Sequence, residues 1–267
     1  MTAYPVTTEI MLERDGGWLT VWFNRPEAKN ALTSQMTTEL AQVFAAVRGD
    51  RTLRGITLRG KGGVFCAGGD IKGFGAAIAG NAAASDIVAL SRKAGELFHQ
   101  LNELPQVVVA LVEGVAMAGG LGLACAADFV AATTEASFGL TETRIGIPPA
   151  QIAPLVVDRI GLAAARRVML TARRFGAEEA AKLGVVDHLA ADPAGLEDFE
   201  REIRAAVAVC APGANAFTKE ILLATRILVG DDLVDLAAMR FATALLGDEG
   251  REGVAAFVEK RKPRWAQ

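Results

Sequence analysis

Phe65-Cys66-Ala67-Gly68-Gly69-Asp70-Ile71 and Gly114-Val115-Ala116-Met117-Ala118-Gly119-Gly120 are two glycine-rich turns, and together they are the most informative feature of this chain. Each follows a strand-like run, Ile56-Thr57-Leu58 or Val107-Val108-Val109, and the second leads into an apolar helical stretch from Leu121 to Ala127. A glycine beside a helix N-terminus lets a ligand approach backbone N–H groups, and the helix dipole favours negative charge there. Two such turns supply convergent N–H donors for an oxyanion formed from a carbonyl. The sequence therefore indicates acyl chemistry through an enolate or a tetrahedral oxyanion.

Composition restricts the class of protein. The chain has 267 residues, of which 51% are hydrophobic and 22% charged, so we expect a folded protein of one large domain or a domain with an appendage. A net charge of −3 argues against a general nucleic-acid binder. No uncharged run reaches the roughly 18 residues of a membrane span, and the first residues lack the pattern of a signal peptide. We expect a cytoplasmic protein, or an organellar one that is already trimmed, without a membrane or nucleic-acid partner.

Cysteine and histidine usage argues against a metal site. Cys66, Cys125 and Cys210 are scattered without a CxxC spacing, and we expect buried, reduced thiols. Only two histidines are present, which excludes HExxH and other multi-histidine sites. The sequence therefore predicts neither a metal nor a redox cofactor.

Strand and helix patterns alternate through the first part of the chain. Runs at 10–14 and 18–23 predict a hairpin, and Thr33 is a candidate N-cap for an amphipathic helix. Further alternation, up to a strand predicted at 185–189, indicates an α/β layered core with largely parallel pairing. From Pro193 onward the pattern is helical, and its alanine and leucine stripes require burial on the core or on another subunit.

Either glycine turn alone is better explained by tight packing of a strand against a helix, since glycine turns are common. Five separated motifs change this interpretation, because together they have the order and spacing of the crotonase (enoyl-CoA hydratase/isomerase) superfamily. The motifs are Asn24-Arg25-Pro26-Glu27-Ala28-Lys29-Asn30-Ala31-Leu32, residues 65–72, Ala118-Gly119-Gly120, Ser137-Phe138-Gly139-Leu140-Thr141-Glu142 and residues 253–261. The sequence resembles this superfamily over nearly its whole length.

The resemblance implies an α/β fold, a crotonase-type spiral of ββα repeats with a C-terminal helical trimerisation region. Residues 1–195 would form the spiral core with the acyl-CoA site. Residues 196–267 would form the helical region for oligomerisation and CoA contact, in a homotrimer or a hexamer built from two trimers. The implied substrate is an acyl-CoA thioester, in which CoA arrives as part of the substrate and no separate cofactor is needed.

The resemblance also assigns site residues by motif position. The N–H groups of Gly69 and Gly119 would form the oxyanion hole, and Glu142 would be the catalytic acid and base. The residues implied to bind the substrate are Ala28, Ala67, Gly68, Asp70, Ile71, Lys72, Phe257 and Lys260. Phe257 and Lys260 would contact the adenine or its 3′-phosphate, from the same subunit or a neighbouring one.

One position departs from the family pattern. Hydratases of this superfamily usually carry a second glutamate two residues after the Gly-Gly pair, and this chain has Gly122 there. Glycine neither accepts a proton nor polarises water, and we expect the nearby Glu113 and Asp70 to have structural roles. The departure leaves three alternatives: a hydratase using Glu142 with a polar helper, an isomerase in which Glu142 alone moves a proton between carbons, and an acyl-CoA-binding protein that has lost catalysis.

The stretch from Gly146 to Pro154 favours the hydratase. It is similar to branched glutaconyl-CoA hydratases, particularly the isohexenylglutaconyl-CoA type, as is Gly-Gly-Leu-Gly-Leu at 119–123. We therefore expect hydration of a branched or carboxylated 2-enoyl-CoA. Arg144 and Gln151 are candidates to meet a distal polar group of the substrate, although a surface ion pair or a helix-start amide explains them equally well.

Overall fold

The computed structural model describes residues 4–70, 75, 79–80 and 82–266. Within these residues the chain forms nine β-strands and nine α-helices. The strands are β1 (Ile10–Asp15), β2 (Trp18–Phe23), β3 (Gly55–Gly60), β4 (Val107–Val112), β5 (Val115–Met117), β6 (Phe129–Thr133), β7 (Ser137–Gly139), β8 (Arg174–Gly176) and β9 (His188–Ala190). The helices are α1 (Ser34–Arg48), α2 (Ala84–Asn102), α3 (Gly119–Ala126), α4 (Ala153–Thr171), α5 (Ala177–Leu183), α6 (Pro193–Ala208), α7 (Pro212–Ala224), α8 (Asp231–Leu246) and α9 (Asp248–Val258).

The main sheet has six strands in the order β1-β2-β3-β4-β6-β9. β1 and β2 form the predicted antiparallel hairpin, and the other neighbouring pairs are parallel. Because β3 and β4 are parallel neighbours, their carboxyl ends meet at one edge of the sheet. The loops that follow them are joined there, since Phe65 N donates to Glu113 O at 2.8 Å. The sheet thus brings the two predicted glycine turns together.

The second glycine stretch is not a continuous turn, and this part of the prediction is wrong. Val115–Met117 forms β5, which pairs in parallel with β7, and β7 pairs antiparallel with β8. A three-residue strand between glycines has too little pattern to be recognised without its partner. Its position matters for function because β5 leads directly to Ala118 and α3.

Local signals predicted α1 well. Thr33 is its N-cap, with Oγ1 accepting a hydrogen bond from Met36 N at 2.9 Å. This cap satisfies one of the helix's otherwise unpaired N–H groups. The predicted apolar stripe consists of Met36, Leu40, Val43, Phe44 and Val47, all of which are buried.

Other boundaries differ from the prediction. α3 begins at Gly119 rather than Leu121, and β9 at His188 rather than at residue 185. Val185 is buried without strand pairing because it follows the end of α5, where its N–H donates to Ala180 O at 2.9 Å. α4 is continuous from Ala153 to Thr171 except at Gly161, whose φ of 76° interrupts the helical backbone.

The C-terminal helices have two different environments. α6 packs its Leu196 and Val207 against Val109 and Leu111 of the main sheet. α7, α8 and α9 carry large exposed apolar side chains, which include Leu222, Val234, Met239, Phe241, Leu246, Val254, Phe257 and Val258. Within the described ranges, no helix combines the length and hydropathy that a membrane span requires.

The cysteines are free, and the prediction of burial is correct for two of them. Cys66 and Cys125 are buried, and burial raises the pKa of each thiol to about 12. Cys210 is exposed, contrary to the prediction, because it follows the end of α6 at the surface.

Candidate active site

The turn after β3 is held by the strand-like segment that precedes α1. Leu32 N donates to Gly68 O at 2.7 Å, and Asp70 N donates to Leu32 O at 3.0 Å. These two bonds form a parallel bridge between Leu32 and Gly69. In such a bridge the central residue's own N–H points away from the partner. The N–H of Gly69 therefore faces away from Leu32, and the residue is only half-buried.

Gly68 permits the two turns to approach each other. Its φ is 99°, a value that side-chain-bearing residues rarely adopt. A Cβ at this position would lie 2.7 Å from Cβ of Ala118 and 2.9 Å from Met117 O. The glycine is therefore required both by the backbone conformation and by the contact between the turns.

The second turn directs a helix N-terminus towards the first. Ala118 N donates to Gly139 O at 2.8 Å, and Ala118 has the unusual backbone angles φ 48° and ψ −121°. The first intrahelical bond of α3 runs from Gly122 N to Ala118 O at 3.0 Å. The N–H of Gly119 thus belongs to the group that a helix cannot satisfy internally.

The amide of Gly69 lies close to Gly119. The amide nitrogen of Gly69 is 3.9 Å from the position that a Cβ on Gly119 would take. That Cβ position is also 3.1 Å from Cδ1 of Leu32 and 3.7 Å from Cζ of Phe98. The Gly69 amide and the start of α3 therefore lie together beside two apolar side chains, and a side chain at residue 119 would press on Leu32.

Glu142 follows β7, the strand whose Gly139 carbonyl holds Ala118 in place. Its Oε2 atom is buried and, in the described part of the chain, has no hydrogen-bond partner. Burial raises the pKa of the Glu142 carboxyl, and a hydrogen bond from its own backbone amide partly offsets this effect. Unsatisfied buried acceptors are rare in native structures and require an explanation. An exchange of protons between this carboxyl and a bound molecule would explain the unpaired oxygen.

Two neighbouring glycines with free-facing amides and a carboxyl with a buried, unpartnered oxygen are the groups that enolate chemistry uses, and the comparison with known families agrees. The model of the enoyl-CoA hydratase/isomerase family matches residues 13–267. The chain belongs to this family. Its α/β fold is the crotonase fold that the sequence predicted, as its similarity to solved structures shows.

Three similar proteins illustrate the match. The structure of Pseudomonas aeruginosa AtuE has a TM-score of 0.94 and 49% identity, covering 97% of this chain and 100% of that one. An enoyl-CoA hydratase/isomerase from Marinobacter aquaeolei has a TM-score of 0.92 and 42% identity, covering 97% and 99%. The carnitinyl-CoA dehydratase of Proteus mirabilis is 34% identical over 266 residues, which are 97% of this chain and 99% of the relative.

Several residues implied to bind the CoA portion lie together in the enoyl-CoA hydratase/isomerase fold. Ala28 ends a short 3₁₀ turn, and the next residue, Lys29, accepts a hydrogen bond from Ala67 N at 3.0 Å. Ala28, Ala67 and Asp70 are half-buried beside the turn that contains Gly68. This segment of the chain therefore offers mainly backbone groups to a ligand.

Asn30 fixes this segment, and the sequence analysis missed its role. Its Oδ1 accepts from Arg25 N at 2.8 Å, while its Nδ2 donates to the carbonyls of Lys61 and Val64 at 3.0 and 2.6 Å. Asn30 is fully buried, and its φ is 53°. Asparagine tolerates this left-handed conformation better than most residues. Its place in the motif at 24–32 was the available signal.

The remaining predicted binding residues are Ile71, Lys72, Phe257 and Lys260. Ile71 and Lys72 lie outside the described residues. Phe257 is 86% exposed near the end of α9, and Lys260 is exposed just beyond that helix. No hydrogen bond or ion pair of the described residues joins Phe257 or Lys260 to the glycine turns.

Gly122, where hydratases of the family usually have a second glutamate, faces an apolar neighbour. A Cβ at Gly122 would clash with Cγ2 of Ile152 and lie 3.3 Å from Cε1 of Phe98. Glu113 does not replace the missing carboxylate, since its Oε1 pairs with Arg59 NH2 at 3.0 Å, in agreement with the expected structural role. Neither Gly122 nor Glu113 therefore supplies the second carboxylate of the family pattern, and a side chain at position 122 would not fit.

The two candidates for contact with a distal polar group have different environments. Gln151 Nε2 donates to Ser91 Oγ at 3.0 Å, which ties the start of α4 to α2. Arg144 is exposed on the turn that begins at Glu142. An open groove of about 580 Å³ lies beside Gln151, and the N-terminal half of α2 lines it.

Proposed function

We propose that this chain is an enoyl-CoA hydratase that adds water to a branched or carboxylated 2-enoyl-CoA. The observation that supports this proposal is the combination of a buried, unpartnered Glu142 oxygen with the neighbouring amides of Gly69 and Gly119. The membership of the enoyl-CoA hydratase/isomerase family supports an acyl-CoA thioester as the substrate.

In the proposed reaction, the thioester oxygen accepts hydrogen bonds from Gly69 and Gly119. Nucleophilic attack at the β-carbon moves the π electrons towards the thioester and forms an enolate, whose negative charge these N–H groups stabilise. The N-terminus of α3 adds a favourable dipole at the same place. Loss of one such donor typically costs about 3 kcal/mol of transition-state stabilisation.

Glu142 handles the proton. As a carboxylate it takes one proton from water while the hydroxyl oxygen bonds to the β-carbon, and as a carboxylic acid it then gives a proton to the α-carbon. One water is consumed, and the glutamate returns to its starting state. A carboxyl whose pKa is raised by burial is suited to both steps, because general acid–base catalysis is most effective when the pKa approaches the working pH.

The branched acyl group is supported by two features of the chain. The stretch from Gly146 to Pro154 is similar to that of branched glutaconyl-CoA hydratases. The surroundings of Gly119 and Gly122 include the apolar side chains of Leu32, Phe98 and Ile152. An apolar wall close to the thioester favours carbon substituents there over bound water.

The same wall supports a second candidate, an enoyl-CoA isomerase. With Ile152 and Phe98 packed over Gly122, Glu142 is the carboxyl that remains for chemistry. One glutamate is sufficient to remove a proton from one carbon and return it to another, which moves the double bond without adding water. An acyl-CoA-binding protein without activity would leave the unpartnered Glu142 oxygen unexplained.

The test is turnover of 3-methylglutaconyl-CoA, isohexenylglutaconyl-CoA, crotonyl-CoA and a 3-enoyl-CoA, followed by loss of the conjugated thioester and by product mass. The hydratase proposal requires a mass gain of one water on at least one of the branched substrates. Double-bond migration on the 3-enoyl-CoA without water addition would establish the isomerase instead. Tight binding of all four with no chemical change would identify a binding protein.

The proposed acyl-CoA function also bears on the assembly of the protein, its CoA contacts, its cofactor need and its location. We infer that the exposed apolar side chains of α7, α8 and α9 are covered in a homotrimer or in a hexamer of two trimers. Phe257 and Lys260 would then reach the CoA of the same or a neighbouring subunit. We also propose that the reaction needs neither a metal nor a redox cofactor, and that the protein works in the cytoplasm.

A further inference from the structure

Ile152 occupies the space that a side chain at position 122 would need. A Cβ added to Gly122 would clash with Cγ2 of Ile152 and lie 3.0 Å from its Cβ. Ile152 is 4% exposed and Phe98, the other neighbour of this position, 5%. The space above Gly122 is therefore filled by apolar atoms.

The filled space is continuous with the oxyanion position. The ring of Phe98 lies 3.7 Å from the Cβ position of Gly119 and 3.3 Å from that of Gly122, so it spans both residues. Gly122 is about 5 Å along α3 from Gly119. A thioester whose oxygen is bound at Gly119 would have its α- and β-carbons within a similar distance of that oxygen. An acyl chain directed along α3 from that oxygen would place these carbons close to Phe98 and Ile152.

Ile152 is held firmly in this place. Its carbonyl accepts the first hydrogen bond of α4, from Val156 N at 3.1 Å. The preceding residue, Gln151, packs against Gly95 of α2 and donates to Ser91 at 3.0 Å. Any side chain on Gly95 would displace Gln151. These contacts fix the start of α4, which Ile152 immediately precedes, against α2.

We propose that Ile152 is a specificity-determining residue whose side chain packs against an apolar branch on the β-carbon of the acyl group. The inference rests on the proposed acyl-CoA function and extends it to a particular contact. A β-methyl group would then cover apolar surface of Ile152 that an unbranched acyl group leaves uncovered. A single methyl group in a hydrophobic pocket changes affinity or turnover by about tenfold or more.

Binding of unreactive ligands tests this inference without relying on turnover. The dissociation constants of butanoyl-CoA and 3-methylbutanoyl-CoA, which are saturated and cannot be hydrated, are measured by calorimetry for the wild type and two variants. We expect the wild type to prefer the branched ligand by roughly tenfold. Ile152→Ala should remove most of that preference, and Ile152→Val should reduce it to an intermediate value.

The control is Val168→Ala, which removes apolar volume from a buried position of the same helix beyond Gly161. It should keep the wild-type preference. Equal preference in the wild type and in folded Ile152→Val and Ile152→Ala would overturn the inference. If the wild type binds neither ligand, the proposed acyl-CoA function fails and the inference fails with it. If both ligands bind but no enoyl-CoA is hydrated, only the hydratase proposal fails, and the binding ratio still decides the role of Ile152.

Discussion

Replacing Glu142 by glutamine separates catalysis from folding. The Oε2 atom of Glu142 is buried without a partner in the described structure, and burial raises the pKa of the carboxyl. Glutamine has nearly the same shape but cannot take up or release a proton at neutral pH. Glu142→Gln should therefore abolish proton transfer while leaving the glycine turns and the acyl pocket intact.

The expected effect on rate is large. A positioned general acid–base contributes about 10² to 10⁴ in rate, so kcat should fall by that factor. This corresponds to about 3–5 kcal/mol of activation free energy. The dissociation constant of a saturated acyl-CoA should change by less than about threefold, because the two amides that bind the thioester oxygen are untouched.

The pH dependence provides an independent readout. A carboxyl whose pKa is raised by folding stabilises the fold at low pH, and this contribution is lost as the pH rises through the folded pKa. Glu142→Gln should thus be at least as stable as the wild type at neutral pH and lose this advantage in acid. The apparent pKa of the acid limb in the wild-type pH profile of kcat/KM should lie above the ordinary pKa range of a glutamate.

Glu113→Gln is the matched control. It removes a carboxylate from the neighbouring loop, but one that pairs with Arg59 at 3.0 Å. It should lower the free energy of unfolding and leave kcat within about threefold. The reasoning is refuted if Glu142→Gln retains more than one tenth of the wild-type kcat, or if Glu113→Gln loses as much activity as Glu142→Gln.

Three further predictions concern the turns, the acid stability and the assembly. Gly68→Ala should lower the free energy of unfolding by about 1–3 kcal/mol and reduce kcat/KM, because φ is 99° and the new Cβ would press on Ala118; urea unfolding and turnover measure both. Glu39 is 1% exposed and accepts hydrogen bonds from three backbone amides near the N-terminus. Burial alone would raise the pKa of its carboxyl, but the hydrogen bonds from side chains and backbone amides outweigh burial and lower the pKa. The Glu39 carboxylate should therefore stabilise the fold at pH values above its unfolded-state pKa, and this stabilisation should be lost as the pH falls through its folded-state pKa. Glu39→Gln should thus flatten the acid side of a plot of unfolding free energy against pH, and an unchanged plot would contradict this. If the proposed trimer or hexamer forms, Phe241→Asp with Leu246→Asp should shift the mass measured by light scattering towards that of a monomer, since both side chains are exposed on α8; an unchanged oligomer mass would exclude α8 from the interface.

Elements with strong local signals could be predicted from the amino-acid sequence alone. A threonine cap and an apolar stripe predicted α1, and the runs at 10–14 and 18–23 predicted the hairpin, because caps and side-chain periodicity report the burial of single elements. The five motifs were sufficient to identify the crotonase fold. They also assigned roles to Gly69, Gly119 and Glu142, which stay predictions until they are tested.

Tertiary structure decided what depends on residues far apart in the chain. β5 was not predicted from the sequence, because its three residues form a strand only by pairing with β7. The exposure of Cys210 and the burial of the unpartnered Glu142 oxygen depend on which segments cover them. The sequence showed that Gly122 lacks a carboxylate, whereas only packing showed that Ile152, thirty residues later, fills the vacated space. Periodicity records whether a residue is buried, and only the arrangement of the elements determines which atoms bury it.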